Sequence, residues 1–87
     1  MQKTIYLPKW TELVVALYNA PAEHRYCGKL YRKTGMTTRH VRNLISQLER
    51  MHIVKRQHGS KVKYIHLTTT GERLAELLIE IFPTLKR

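Results

Sequence analysis

The sequence predicts a mainly α-helical α+β domain, ordered helix, helix, helix, strand, strand, helix. Three observations point there. Apolar residues recur at helical spacing near both ends and in the middle; two runs rich in β-branched and aromatic residues, Ile53–Gln57 and Val62–Leu67, flank a Gly-containing connection; and Pro8, Pro21 and Gly35 punctuate the helical segments. Eighty-seven residues make one domain, 1–87, whose single core is marginal unless part of the surface is shared with a partner.

The first helix is read from "LPKWTELVVALYNAP". Pro8 suits the first helical position, Ala20 before Pro21 is a stop, and Trp10, Leu13, Val14, Leu17 and Tyr18 share a face. After "PAEHRY", a connection with room for a brief extended stretch, "CGKLYRKTG" gives a short second helix with Cys27, Leu30, Tyr31 and Thr34 on one side, ended by Gly35 in the left-handed conformation. The third helix runs to about residue 50 with Thr37 or Thr38 as N-cap, and Val41, Leu44, Ile45 and Leu48 form its docking stripe. A left-handed residue should turn the chain into the first strand, and His52 stands where Gly would be most comfortable. The strands form a hairpin about "HGSK", and the last helix, about 69–82, starts with Thr69 and Glu72 in capping-box spacing before an apolar face of Leu74, Leu77, Leu78, Ile81, Phe82 and Leu85.

Sixteen Lys and Arg stand against six Glu and no Asp, a formal charge of +10 that calls for an acidic partner such as nucleic acid or an anionic membrane. The placement is more informative than the total. Residues 24–66 hold eleven of the cations against Glu49 alone, while the two flanks balance at five and five. The third helix therefore presents Thr38, Arg39, His40, Arg42 and Asn43 with no carboxylate before Glu49, whereas a merely solvated face mixes both signs.

Cys27 is the only cysteine, so no intramolecular disulfide can form; it is read as a small core residue in a reducing, cytoplasmic compartment. No apolar run approaches the roughly 20 residues of a membrane span, and "MQKTIYLPKW" has no apolar signal-peptide stretch. His24 and Cys27 have i, i+3 spacing but no cluster of further ligands, so neither a metal nor another cofactor is expected. An enzyme is not expected either, because metal-dependent nucleases need convergent carboxylates and the basic segment offers only Glu49.

The stretch "KLYRKTGMTTRHVRNLISQLERMHIVKR" resembles the helix-turn-helix of the MarR and ArsR classes of bacterial and archaeal transcription regulators. The likeness lies in Leu30, the turn "TGM", a polar N-cap, apolar Val41, Ile45 and Leu48, the Leu48-Glu49 pair, and an apolar pair entering the wing. "HLTTTGERL" is similar to that family's step from the second wing strand into the last helix, a Leu-Thr pair followed three residues later by Gly. The resemblance covers roughly residues 10–82 and departs at His52, where the family usually has Gly. It implies a winged helix-turn-helix, with the helix-turn-helix at about 27–50 and the wing at about 53–67. Larger MarR relatives carry extra helices that form a dimer interface and a ligand pocket; in a chain this short the resemblance implies DNA binding, and no small-molecule effector is predictable.

With the third helix in a major groove, Arg39 and Arg42 can each donate two bonds to guanine O6 and N7, and Asn43 can pair with adenine N6 and N7. Thr37, Thr38 and the helix N-terminus suit a phosphate, and His40 and Gln47 can reach base or backbone. Arg56, His58, Lys61 and Lys63 would bring the wing to the minor groove or its phosphates, and Lys29 would add a phosphate contact from the second helix, beside Arg32 and Lys33 that can equally be solvated. Ile5, Leu7, Leu77, Ile81, Phe82 and Leu85 are the candidate homodimer interface. The expected function is a homodimeric, sequence-specific double-stranded DNA-binding transcription regulator; the alternatives are a winged-helix module for structured RNA or for protein interaction within a larger complex.

Overall fold

Pro8 opens the first helix from just outside it. In the computed structural model, which describes residues 7–21, 25, 30, 34–58 and 63–83, α1 spans Lys9–Asn19. Pro8 is its N-cap with φ −57° and ψ 145°, so it is not the first helical residue as the sequence reading had it. The ring fixes φ for either position, and the extended ψ puts Pro8 on the cap side. Its carbonyl accepts the Thr11 N–H at 3.0 Å and the Thr11 hydroxyl at 2.6 Å. α1 stops at Ala20, ψ 139°, because the residue before a proline is pushed out of the helical region. Thr11 and Leu13 through Leu17 are all buried, so α1 is the central element of the core.

The second predicted helix lies largely outside the described residues. Within it Leu30 and Thr34 are helical, and the Thr34 hydroxyl donates to the Leu30 carbonyl at 2.8 Å. Gly35 follows with φ 73°, the left-handed stop its type predicts. Next comes α2, Thr38–Arg50, capped by Thr37, whose side chain accepts the His40 N–H at 3.1 Å. At its far end Met51 is the C-cap and His52 adopts φ 60°. The His52 N–H bonds the Glu49 carbonyl and the Ile53 N–H the Leu48 carbonyl, each at 3.0 Å, which satisfies the last helical acceptors in a Schellman turn.

Strands β1, Val54–His58, and β2, Lys63–Leu67, pair antiparallel with Val54 opposite Leu67 and His58 opposite Lys63. The connection at 59–62 lies outside the described residues. Beyond the hairpin, the Ile65 N–H donates to the Arg25 carbonyl at 2.7 Å, and Arg25 Nε donates to the Ala20 carbonyl at 3.0 Å.

Helix α3 spans Thr69–Ile81, and its cap is Thr68, one residue before the Thr69 that capping-box spacing suggests. Two sets of bonds fix this choice. The Thr68 hydroxyl accepts the Gly71 N–H at 3.0 Å and donates to the His52 carbonyl at 2.6 Å, while the Thr68 N–H donates to the Ile53 carbonyl at 2.9 Å. Thr69, without such ties, becomes the first helical residue. The apolar face of α3 is also split: Gly71 and Ala75 are buried and Leu74 and Leu78 pack on the core, whereas Leu77 and Ile81 face out. Leu13, Val14 and Leu17 of α1, Leu30, Met36, the α2 stripe Val41, Ile45 and Leu48, and Ile53, Val54, Ile65 and Leu67 complete one continuous core.

Candidate nucleic-acid interface

Because Val41, Ile45 and Leu48 are buried and Leu44 partly so, the helical rotation of about 100° per residue turns the rest of α2 outward. Thr37, Arg39, His40, Arg42, Asn43, Gln47 and Arg50 are exposed, and Thr38 is half-buried. Thr37, Arg39, His40, Asn43 and Gln47, with the edge of Leu44, line one shallow open groove of about 360 Å³. Arg42 stands on the opposite flank, nearer Glu49 in helical rotation. The side chains of Arg39, His40, Arg42, Asn43, Gln47 and Arg50 make no hydrogen bond or ion pair with any described residue, so their donors are open to an external acceptor. The first turn holds no acidic residue and the last holds Arg50, so the N-terminal end of α2 is left as an unopposed positive dipole.

Arg50 is a member of this face that the sequence reading did not select. It lies seven residues beyond Asn43, two turns along the same ridge, and extending the periodicity past Gln47 would have found it.

The hairpin register sorts the wing residues. Residues opposite one another share a face, so Val54, Arg56 and His58 lie with Leu67, Ile65 and Lys63, a face that is buried at its base and cationic toward its tip. Lys55, Gln57, Tyr64 and His66 form the other face, where the Tyr64 and His66 rings stack with centroids 6.5 Å apart. His58 and Lys63 are exposed and face each other across the ladder. Arg56 is also exposed but engaged: Nε lies 3.1 Å from Glu49 Oε1, and Nη2 donates to Ser46 Oγ at 3.1 Å. Lys29 and Lys61 lie outside the described residues, as do Cys27, Arg32 and Lys33.

On α3, Leu77 and Ile81 are 43% and 64% exposed, and Leu7 and Phe82 are half-buried. Ile5 and Leu85 lie outside the described residues. On another side of α2, Trp10, Leu44, Gln47, Leu48, Met51 and Ile53 line an apolar cleft of about 180 Å³. Among the described residues no group of three His, Cys or Glu is placed to hold a metal ion, and no helix is long and apolar enough to cross a membrane.

Comparison with solved structures shows the winged helix-turn-helix fold, as the MarR-class resemblance implied. The crystal structure of MepR, a transcription regulator of the Staphylococcus aureus multidrug efflux pump MepA, matches 90% of this chain at 25% identity with a TM-score of 0.79. A MepR variant bound to an oligodeoxyribonucleotide matches 90% at 25% identity and a TM-score of 0.78. A protein of the archaeon Archaeoglobus fulgidus matches 91% of this chain and 89% of its own at 19% identity, with a TM-score of 0.77. The chain spans 58% and 59% of the two MepR chains. No protein-family model matches the sequence, and no curated protein does.

Proposed function

We propose that this chain is a cytoplasmic, sequence-specific DNA-binding regulator of transcription that acts as a homodimer and has no catalytic role. The observation that carries the reading is the row of donors on α2 that no described residue engages, beside a carboxylate, Glu49, that is already occupied by Arg56. Arg39, Arg42 and Asn43 read base edges, with Gln47 and His40 beside them in the groove, while Thr37, Thr38 and the α2 N-terminus hold a phosphate. His58, Lys63 and Lys61 on the wing, and Lys29 ahead of α2, neutralise further phosphates. The oligodeoxyribonucleotide held by a MepR variant of the same fold supports this use of the surface.

Leu77 and Ile81 are the exposed large apolar groups on α3, and together with half-buried Leu7 and Phe82, and Ile5 and Leu85 from the termini, they form the two-fold contact. Two copies then present α2 to half-sites about one helical turn, roughly 10 base pairs, apart. The test is selection of binders from a random duplex library at physiological salt, with sedimentation of the free protein and a duplex RNA competitor. A recovered sequence with two-fold symmetry and a dimeric protein are expected. Equal affinity for duplex RNA and all DNA sequences would overturn the reading in favour of an RNA module.

A further inference from the structure

Glu49 is the only carboxylate between residues 24 and 66, a stretch with eleven Lys and Arg. Among the described residues it engages one cation: its Oε1 lies 3.1 Å from Arg56 Nε, and the same guanidinium reaches Ser46 Oγ through Nη2, also at 3.1 Å. Glu49 and Ser46 are three residues apart on α2, so the planar fork of Arg56 grips adjacent positions of one helix face. The Arg56 and Glu49 side chains are 36% and 45% exposed, and ion pairs so placed add little to folding stability. Their effect is on geometry. Arg56 belongs to β1 and its two partners to α2, so the contact joins the two elements that the proposed complex turns toward the duplex.

We propose that Glu49 is a specificity-determining positioning residue: by holding Arg56 against Ser46 it fixes the wing to the recognition helix and keeps that arginine off the phosphate backbone. This rests on the DNA-binding reading above. A paired Arg56 releases no counterion, and the Glu49 carboxylate repels phosphates, so the clasp weakens binding to every sequence. It also holds the wing at one setting relative to α2, so helix and wing contacts form together only on a groove of matching shape. Non-specific complexes depend on phosphate contacts and lose more from this arrangement than the specific one does.

The experiment compares wild type, Glu49→Gln, Arg56→Gln and the double variant on the duplex that wild type selects and on a scrambled duplex, across a series of salt concentrations. Thermal unfolding confirms that all four are folded. Glu49→Gln is expected to bind the scrambled duplex about tenfold more tightly, with a salt slope steeper by about one unit, and to lose discrimination between the two duplexes. Arg56→Gln, which leaves the Glu49 carboxylate unpaired, should weaken binding to both duplexes, and the double variant should return to the wild-type slope. A slope flattened by about one unit in the double variant, where no unpaired Glu49 remains, would show that Arg56 itself contacts phosphate in the wild type and overturn the proposal. So would a Glu49→Gln protein that discriminates as well as wild type. Failure of wild type to prefer any duplex overturns the DNA reading instead, and the wild-type arm alone reveals it.

Discussion

A β-carbon on Gly71 would lie 2.1 Å from the carbonyl oxygen of Ile53, so the first turn of α3 rests directly on the backbone that leaves α2. The same oxygen accepts the Thr68 N–H at 2.9 Å. The Leu-Thr-x-x-Gly spacing thus has a steric cause: Thr68 ties the start of α3 to the α2 exit, and only a residue without a side chain fits three positions later. Gly71→Ala must push backbone against backbone and should cost about 3 kcal/mol or more, the upper end of overpacking penalties. Urea unfolding measures it, and an unchanged midpoint would contradict the close approach.

His52 holds φ 60° with an exposed side chain, in a conformation that costs a residue bearing a β-carbon about 1 kcal/mol. His52→Gly keeps the carbonyl that receives the Thr68 hydroxyl and removes that strain. The variant should be more stable by about 1 kcal/mol, and its melting midpoint should rise by about 4–8 °C. A lower midpoint would mean that the imidazole contributes something its exposure does not suggest.

Arg39 stands in the open groove of α2 beside Asn43 and Gln47. Arg39→Ala should cost roughly 1–3 kcal/mol on the selected duplex and relax preference at one base position. Arg42→Ala, on the other flank of the helix, should do the same at a different position. Equal losses on selected and random duplexes would assign both arginines to the backbone.

Lys63 faces His58 at the outer end of the ladder. Lys63→Ala is expected to weaken all duplexes alike and to make the salt slope shallower by about one unit; Lys61→Ala should match it. An unchanged slope in both would take the wing tip out of the phosphate contacts.

Leu77 and Ile81 are the exposed apolar pair on α3. Leu77→Glu, read by sedimentation at micromolar protein, should give a folded monomer that binds a half-site without cooperativity. A variant that stays dimeric would move the two-fold contact elsewhere.

Much of this architecture is legible from local rules. The α2 stripe, its Thr37 cap, the left-handed His52 and the hairpin all follow from side-chain spacing and backbone preferences that act within a few residues. The misses come from contacts between segments distant in sequence. Thr69 and Thr68 are indistinguishable as caps until the α2 exit supplies the carbonyls that hold Thr68. Leu77 and Ile81 share helical spacing with Leu74 and Leu78, and they are the exposed pair, as their choice as interface candidates requires, while Leu74 and Leu78 pack on the core. In the candidate site, the open donors of α2 could be read from sequence, whereas the engagement of Arg56 required the hairpin to be placed beside Glu49 and Ser46.

The bond from Ile65 to the carbonyl of Arg25 bears on how the molecule behaves at high concentration. A two-stranded ribbon ordinarily offers two raw margins to which further chains can add, the first step toward fibrils. Here one margin is blunted at Ile65 by the protein's own backbone. The other is β1, whose exposed Lys55 makes it a poor template for an identical, equally charged ribbon.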